Sequence, residues 1–366
     1  MKVIISGGGT GGHIYPAIAI ANKIRKENPK ADILFIGTQK GLESEIVPKA
    51  GFKIKTITVS YLKRKISYHN VKSAVMLLRG IVQARSIVKK FNPDIVIGTG
   101  GFVCGPVLFV SRYLGIKTII HEQNVFPGLT NRILEKYVDK VAISFDDARK
   151  HFKSQDKLVL TGNPIREEFL NVQLSDATEK YKGVSSLPLV LVVGGSGGSD
   201  SVNKATIDLL KEYNNRKFQL LFVTGKNHYE SVMEELKSNN NLSTVDKILP
   251  YLDDMPHALK AADIVVCSAG AITLSEVTAL GKPAIIVPKA YTAENHQEFN
   301  AIALENKGAA VVIKENKLTS KNLYDSLTLI LDNKTKYREM QESSKKSAVT
   351  NALETIYKEI QQLLNA

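Results

Sequence analysis

Short apolar runs rich in β-branched residues alternate with longer stretches that are apolar on one side only, and most runs close on glycines or a polar cluster. Runs of this kind read as strands buried on both faces, with the intervening stretches as helices crossing back over a parallel sheet. The first half gives VIIS before a glycine cluster, strands near 33–36 and 52–59, then PDIVIG, KTIIHEQN at 117–124 and DKVAISF at 139–145. The second half repeats the alternation through LVLVV, FQLLFVTG, KILPYLDDM, ADIVVCSAG, PAIIVP and AAVVI. From Leu318 onward the pattern is helical, ending in a helix with Ile356, Ile360 and Leu363 on one face. Gly162 and Pro164 break the pattern, and a polar stretch to about Leu187 follows. The expected fold is α/β, with two Rossmann-like domains facing a cleft: an N-terminal domain 1–163, a linker 164–187 and a C-terminal domain 188–340.

Two strand ends carry the densest chemistry. VIISGGGTGGHIYP, residues 3–16, sets glycines around Thr10 before a helix, a backbone suited to cradling an anion. Gly7, Gly9 and Gly12 satisfy G-x-G-x-x-G, which raises a dinucleotide site as a rival. That rival needs an acid closing the second strand, but the strand ends at Ile36-Gly37-Thr38, and Glu43 and Glu45 fall past the turn. LPLVLVVGGSGGSDSVN, residues 187–203, repeats the design around Ser196. Either loop alone also reads as a tight turn with no ligand.

Length and composition add limits. A chain of 366 residues that is 43% hydrophobic and 23% charged is ordinary for a globular protein of two or three domains. VII is too short for a signal-peptide core, so secretion is not expected. The run 95–110 is interrupted by glycines and reads as a buried strand plus loop, not a membrane span. Cys104 and Cys267 stand in apolar surroundings and read as core thiols; no Cys/His spacing fits zinc.

Charge changes the picture more. Lys and Arg outnumber Asp and Glu by 49 to 36, and the net charge of +13 favours an anionic partner. No nucleic-acid-binding signature is present, so no nucleic acid is expected. Residues 61–91 join Lys63, Arg64 and Lys65 to a helix with Val71, Val75, Leu78 and Val82 on one face. That helix either lies on an anionic bilayer or packs on its own sheet.

Other polar clusters also close strands. His121, Glu122, Gln123 and Asn124 end one; Gly162 to Arg166 end the first domain. In SAGAITLSE, Glu276 suits a ribose diol, or else serves as a first-turn acid favourable to the helix dipole. Asn295, Gln297 and Asn300 offer amides suited to sugar hydroxyls, or are solvated surface residues.

GGTGGHIYP, GTGGF, HEQN, GNPIR, GGSGGS, LDDM, AGAITLSE and the N-x-Q segment, in this order, resemble the motifs of the MurG family of bacterial glycosyltransferases over nearly the whole chain. The resemblance implies a fold of the glycosyltransferase B type, with the last helix, within 341–366, crossing back to the first domain. It implies transfer of N-acetylglucosamine from UDP-GlcNAc to undecaprenyl-pyrophosphoryl-MurNAc-pentapeptide (lipid I), forming lipid II for peptidoglycan. It further implies a peripheral place on the cytoplasmic face of the inner membrane, no cofactor, no catalytic metal, and other cell-wall synthesis proteins as candidate partners.

By motif, Thr10, Gly11, Gly12, Asn124, Arg166, Ser196, Leu252, Ala271, Ile272, Thr273, Leu274, Ser275, Glu276 and Gln297 would contact UDP-GlcNAc. Arg166, Ser196 and the second glycine loop would spread over the diphosphate, Glu276 would hold the ribose, the backbone near Leu252 would meet uracil, and Gln297 would meet the sugar. Gly11, Gly12, Gly100 and Gly101 would face the acceptor pyrophosphate. The second loop reads GGSGGS where GGSQGA is common, and Ser268 stands where Arg is frequent. The reaction implied is a single displacement with inversion. Its base candidates are His13, whose ordinary pKa suits neutral pH, and Glu122; His13 could instead only contact phosphate. Alternatives are another nucleotide-sugar enzyme of the same fold, such as a glycolipid transferase or a UDP-GlcNAc 2-epimerase, or a noncatalytic membrane scaffold. An epimerase would lack the basic helix. A scaffold would have eroded a glycine loop or lost Glu276.

Overall fold

The computed structural model describes residues 1–60, 68–183, 185–195, 197–237 and 245–366. Contacts divide the chain into two units, Met1–Ile165 with Val349–Ala366, and Arg166–Ala348.

The first unit is a seven-stranded parallel sheet of β1 (Lys2–Gly7), β2 (Asp32–Thr38), β3 (Lys53–Ile57), β4 (Ile95–Gly100), β5 (Lys117–Glu122), β6 (Lys140–Ile143) and β7 (Leu158–Leu160). The strand order is β3-β2-β1-β4-β5-β6-β7. On one face Ile4, Val96 and Ile120 pack against helices Tyr68–Phe91 and Cys104–Tyr113. On the other, Val3, Ile5 and Ile97 meet helix Gly11–Glu27 and the C-terminal helix Ala352–Asn365. Ile356, Ile360 and Leu363 fill that second face, and Lys23 pairs with Glu354 at 3.0 Å. Full burial of each such aliphatic side chain contributes about 2–3 kcal/mol, so the last helix is part of the N-terminal core, as expected.

The second unit is a six-stranded parallel sheet of β8 (Leu189–Val193), β9 (Gln219–Val223), β10 (Lys247–Leu249), β11 (Ile264–Cys267), β12 (Ala284–Ile286) and β13 (Ala310–Val312), ordered β10-β9-β8-β11-β12-β13. Every residue of β8 is buried, which explains its unbroken apolar sequence.

The strand order reverses direction at β1/β4 and at β8/β11. In such sheets a crevice opens at the carboxyl ends of the two strands flanking the reversal. Both glycine loops lie there, the first after β1 and the second after β8.

Three expectations need correction. Residues 164–187 are not a free linker: helices Glu167–Asn171 and Leu174–Tyr181 pack into the second unit, with Phe169 and Ala177 fully buried. Their polar residues mark the solvent side of amphipathic helices. The stretch 341–347 ends helix Lys334–Ser347, which packs on helix Ala271–Ala279, so the return to the first unit begins at Val349. The run 95–110 also differs: β4 is followed by helix Cys104–Tyr113 rather than loop alone. Cys104 and Cys267 are buried free thiols, pushed up to about 11 and about 12 by burial.

Candidate active site

In the first unit, the loop after β1 meets the loop after β4. The Gly8 N–H donates to the Gly100 carbonyl at 3.3 Å. Gly101 has φ +84°, and a Cβ there would lie 2.4 Å from the Gly8 carbonyl oxygen; at Gly100, φ +112°, it would lie 2.6 Å from Nδ1 of His13. Only glycine allows both backbones and the imidazole so close together. His13 sits in the first turn of helix Gly11–Glu27. Its carbonyl accepts from Thr99 Oγ1 at 2.8 Å, and its Nδ1 lies 2.9 Å from Gln123 Oε1. Thr10, Gly11, Gly12, Gly100 and Gly101 thus share one corner with His13, and Thr10 and Gly12 are exposed.

Glu122 is spent differently. Its Oε1 accepts from Asn124 N at 2.9 Å and Asn124 Nδ2 at 3.1 Å. Its Oε2 accepts from Gly128 N at 3.1 Å and Asn131 Nδ2 at 2.8 Å. This buried carboxylate builds the turn after β5. By contrast, Nε2 of His13 has no partner among the described residues.

Glu43, set aside above because it falls past the turn, belongs to this corner. Its helix folds back so that the carboxylate accepts from Gly9 N at 3.0 Å, Thr38 N at 2.8 Å and Thr38 Oγ1 at 2.7 Å. Burial pushes this carboxyl up, but the hydrogen bonds from Gly9 and Thr38 outweigh it and hold the group below its ordinary range. The signal in the sequence was a lone acid close after a strand end. Its direction was invisible there.

In the second unit, Ser196 lies outside the described residues. The flanking glycines are held by Lys289, whose Nζ donates to the Gly198 carbonyl at 2.7 Å, and by Ser268, whose Oγ donates to the Gly194 carbonyl at 3.3 Å. Gln297 Oε1 accepts from Ala269 N at 3.2 Å and Lys289 N at 2.9 Å, so its amide NH₂ is the end left to donate. Lys289 was not singled out from the sequence. Asn300 is fully buried and donates to the Ala269 carbonyl at 3.2 Å, a structural part that corrects the expectation of a sugar-facing amide. Asn295 is exposed and hydrogen-bonds Glu298.

Helix Ala271–Ala279 begins after Gly270 at the carboxyl end of β11. Leu274 is buried in the core, while Ile272, Thr273, Ser275 and Glu276 are partly exposed. Ala271 is buried, and its carbonyl accepts from Ser275 Oγ at 2.9 Å. Glu276 lies in the second turn, which removes the reading of a first-turn acid serving the dipole. Burial pushes its carboxyl up to about 7, against the opposing pull of the Arg166 guanidinium. Arg166 is half exposed and stacks over Phe169 at 4.8 Å. The Leu252 side chain is buried in the core, which leaves only its backbone for a ligand. Among the described residues, no group of three or more His, Cys, Asp or Glu could hold a metal ion.

Helix Tyr68–Phe91 turns Ser73, Gly80, Ala84 and Val88 inward, with Val75, Leu78 and Val82 exposed at 48%, 65% and 69%. The stripe read from the sequence is therefore not the packing face. Phe109 and Tyr113 on the adjacent helix Cys104–Tyr113 are exposed as well, with Arg79, Arg85 and Lys89 nearby in sequence also exposed. Lys63, Arg64 and Lys65 lie outside the described residues, as does the side chain of Val71. No helix among the described residues is long and apolar enough to cross a membrane.

The chain is similar to known proteins in sequence and fold. Residues 3–143 match the glycosyltransferase family 28 N-terminal domain and residues 189–356 its C-terminal domain. The UDP-N-acetylglucosamine–N-acetylmuramyl-(pentapeptide) pyrophosphoryl-undecaprenol N-acetylglucosamine transferase of Alkaliphilus oremlandii is 60% identical over 364 residues, covering 100% of this chain and 99% of the relative. The transferase of the same name from Clostridioides difficile is 51% identical, over 100% of this chain and 90% of the relative. The crystal structure of Acinetobacter baumannii MurG superposes with a TM-score of 0.80 at 26% identity, covering 99% of each chain. The UDP-GlcNAc 2-epimerase of Neisseria meningitidis bound to UDP-GlcNAc shares the fold, with a TM-score of 0.67 at 14% identity over 99% of this chain and 100% of that one.

Proposed function

Because the chain belongs to glycosyltransferase family 28, we propose that it transfers N-acetylglucosamine from UDP-GlcNAc to lipid I, yielding lipid II for peptidoglycan synthesis. The observation that carries this reading is full-length 60% identity to a transferase named for that reaction, joined to two glycine loops at two sheet reversals.

The donor binds the second unit. Backbone N–H groups of the second glycine loop and Arg166 take the diphosphate, Glu276 takes the ribose hydroxyls, and the Gln297 NH₂ donates to the sugar. Thr10, Asn124 and the Gly11–Gly12 backbone are the first unit's candidate substrate contacts. The acceptor pyrophosphate lies against Gly11, Gly12, Gly100 and Gly101. His13 Nε2 takes the proton of the muramyl O4 hydroxyl as O4 bonds to C1 of the sugar and the C1–oxygen bond to UDP breaks. One displacement inverts the anomeric centre.

The exposed stripe of Val75, Leu78 and Val82, set among basic side chains on a chain of net charge +13, supports docking on the anionic cytoplasmic face of the inner membrane, where the lipid-linked acceptor resides. Incubation with radiolabelled UDP-GlcNAc and a short-chain lipid I analogue tests the reading. Label should appear in a product containing both substrates; label released only as free sugar would contradict it.

A further inference from the structure

Gln123 is buried at the end of β5, and its two amide ends are distinguishable by their partners. One end lies 2.8 Å from the Thr99 carbonyl and 3.1 Å from the His121 carbonyl, so it must be the NH₂ group. The other end is then the oxygen, and it lies 2.9 Å from Nδ1 of His13. An amide oxygen only accepts, so Nδ1 of His13 carries the hydrogen, which leaves the lone pair on Nε2.

A second histidine keeps this orientation from reversing. His121 is fully enclosed, and burial lowers its pKa to about 4, so the ring is neutral at physiological pH. Its Nε2 lies 3.0 Å from the Gly162 carbonyl and 3.3 Å from Ser144 Oγ, and its Nδ1 lies 2.9 Å from Gln123 Nε2. With Nε2–H donating to Gly162, Nδ1 of His121 accepts from the amide. Ser144 Oγ has one proton to donate, to the Glu122 carbonyl at 2.7 Å or to Asn163 Oδ1 at 2.8 Å. Rotating the amide would set the Thr99 and His121 carbonyl oxygens against the Gln123 oxygen.

We infer that Gln123 is a positioning residue that fixes the tautomer of His13, presenting a bare Nε2 to the acceptor hydroxyl. This rests on His13 being the base. The titratable groups around the relay are His121 below the amide, Cys104, whose Sγ donates to the Gly100 carbonyl at 3.0 Å, and Glu43 and Glu122, both engaged with backbone N–H groups elsewhere. Among the described residues no carboxylate touches the imidazole, so once Nε2 takes the proton the Nδ1–H is held by the amide oxygen alone.

The test is ¹⁵N NMR of the full-length protein with labelled histidines at pH 8, assigned through His13→Gln. Wild type should show His13 with a protonated Nδ1 and a bare Nε2; in Gln123→Leu that preference should be lost, while His121 stays neutral. Gln123→Leu should lower kcat by about ten- to a hundredfold, with both KM values within about twofold. Gln123→Glu places a carboxylate on Nδ1–H and should move the acid limb of the kcat profile upward by about a unit or more. A wild-type His13 protonated on Nε2, or an unchanged tautomer in Gln123→Leu, overturns the inference, and the wild-type spectrum decides even if a variant fails to fold. If His13→Ala retains wild-type turnover, it is the base assignment that fails, and the tautomer result stands apart from it.

Discussion

The carboxylate of Glu43 accepts the backbone N–H of Gly9 at 3.0 Å, tying the first glycine loop to the end of β2. An acid thus clamps the loop from inside, at the point where a dinucleotide-binding protein would spend its acid on a ribose. Glu43→Ala removes a buried charged acceptor of three hydrogen bonds, so it should cost about 2–3 kcal/mol in stability and raise the acceptor KM more than the donor KM. The carboxyl is held below its ordinary range in the folded protein, so its contribution is present above the ordinary carboxylate pKa and is lost as pH falls through the lowered one. Thermal unfolding of wild type and variant should therefore converge in acid. Equal melting temperatures at pH 7 would remove the clamp.

Glu276 has the opposite sign. Its carboxyl is raised to about 7 from 4.5, so ionising it opposes folding; the penalty is absent below the ordinary pKa and reaches full size above about pH 7. Glu276→Gln should stabilise the protein by about 1–3 kcal/mol at pH 8 and by little at pH 4. The same change should raise the donor KM by about five- to 150-fold, since a carboxylate offers the two ribose hydroxyls two charged oxygens and an amide offers one neutral oxygen. In wild type the donor KM should rise as pH falls from 8 to 6, and Arg166→Ala should shift that rise to higher pH. A donor KM flat across this range would exclude the ribose role.

Much of the fold was legible in the sequence, because parallel strands buried on both faces make continuous apolar runs such as LVLVV and glycines mark their carboxyl ends. The C-terminal helix declared its buried face through Ile356, Ile360 and Leu363. The parts that were not legible depend on pairings across long separations. Glu43 meets Gly9 from 34 residues away, and Gln123 meets His13 from 110. Gln123 stood out only as one member of a polar cluster, and nothing local tells which amide end meets which ring. The stretch after Arg166 resembles a linker in sequence because its short helices bury few residues, among them Phe169 and Tyr181, within a polar composition.

The proposed membrane docking rests on side chains that are already exposed, so it can be tested without disturbing the core. Leu78→Glu combined with Val82→Glu should release the protein from anionic vesicles, with turnover of a water-soluble acceptor analogue near wild type. Raised salt should weaken wild-type binding by screening the basic side chains. Undiminished sedimentation of the double variant with such vesicles at low salt would exclude this face.

Inverting transfer to an acceptor hydroxyl is written in the anomeric configuration of the product. Proton NMR of UDP-GlcNAc, a lipid I analogue and the full-length protein should show a new sugar resonance with the large coupling of a β linkage, growing in step with UDP. An α-linked product, or conversion of UDP-GlcNAc to its 2-epimer without acceptor, would contradict it.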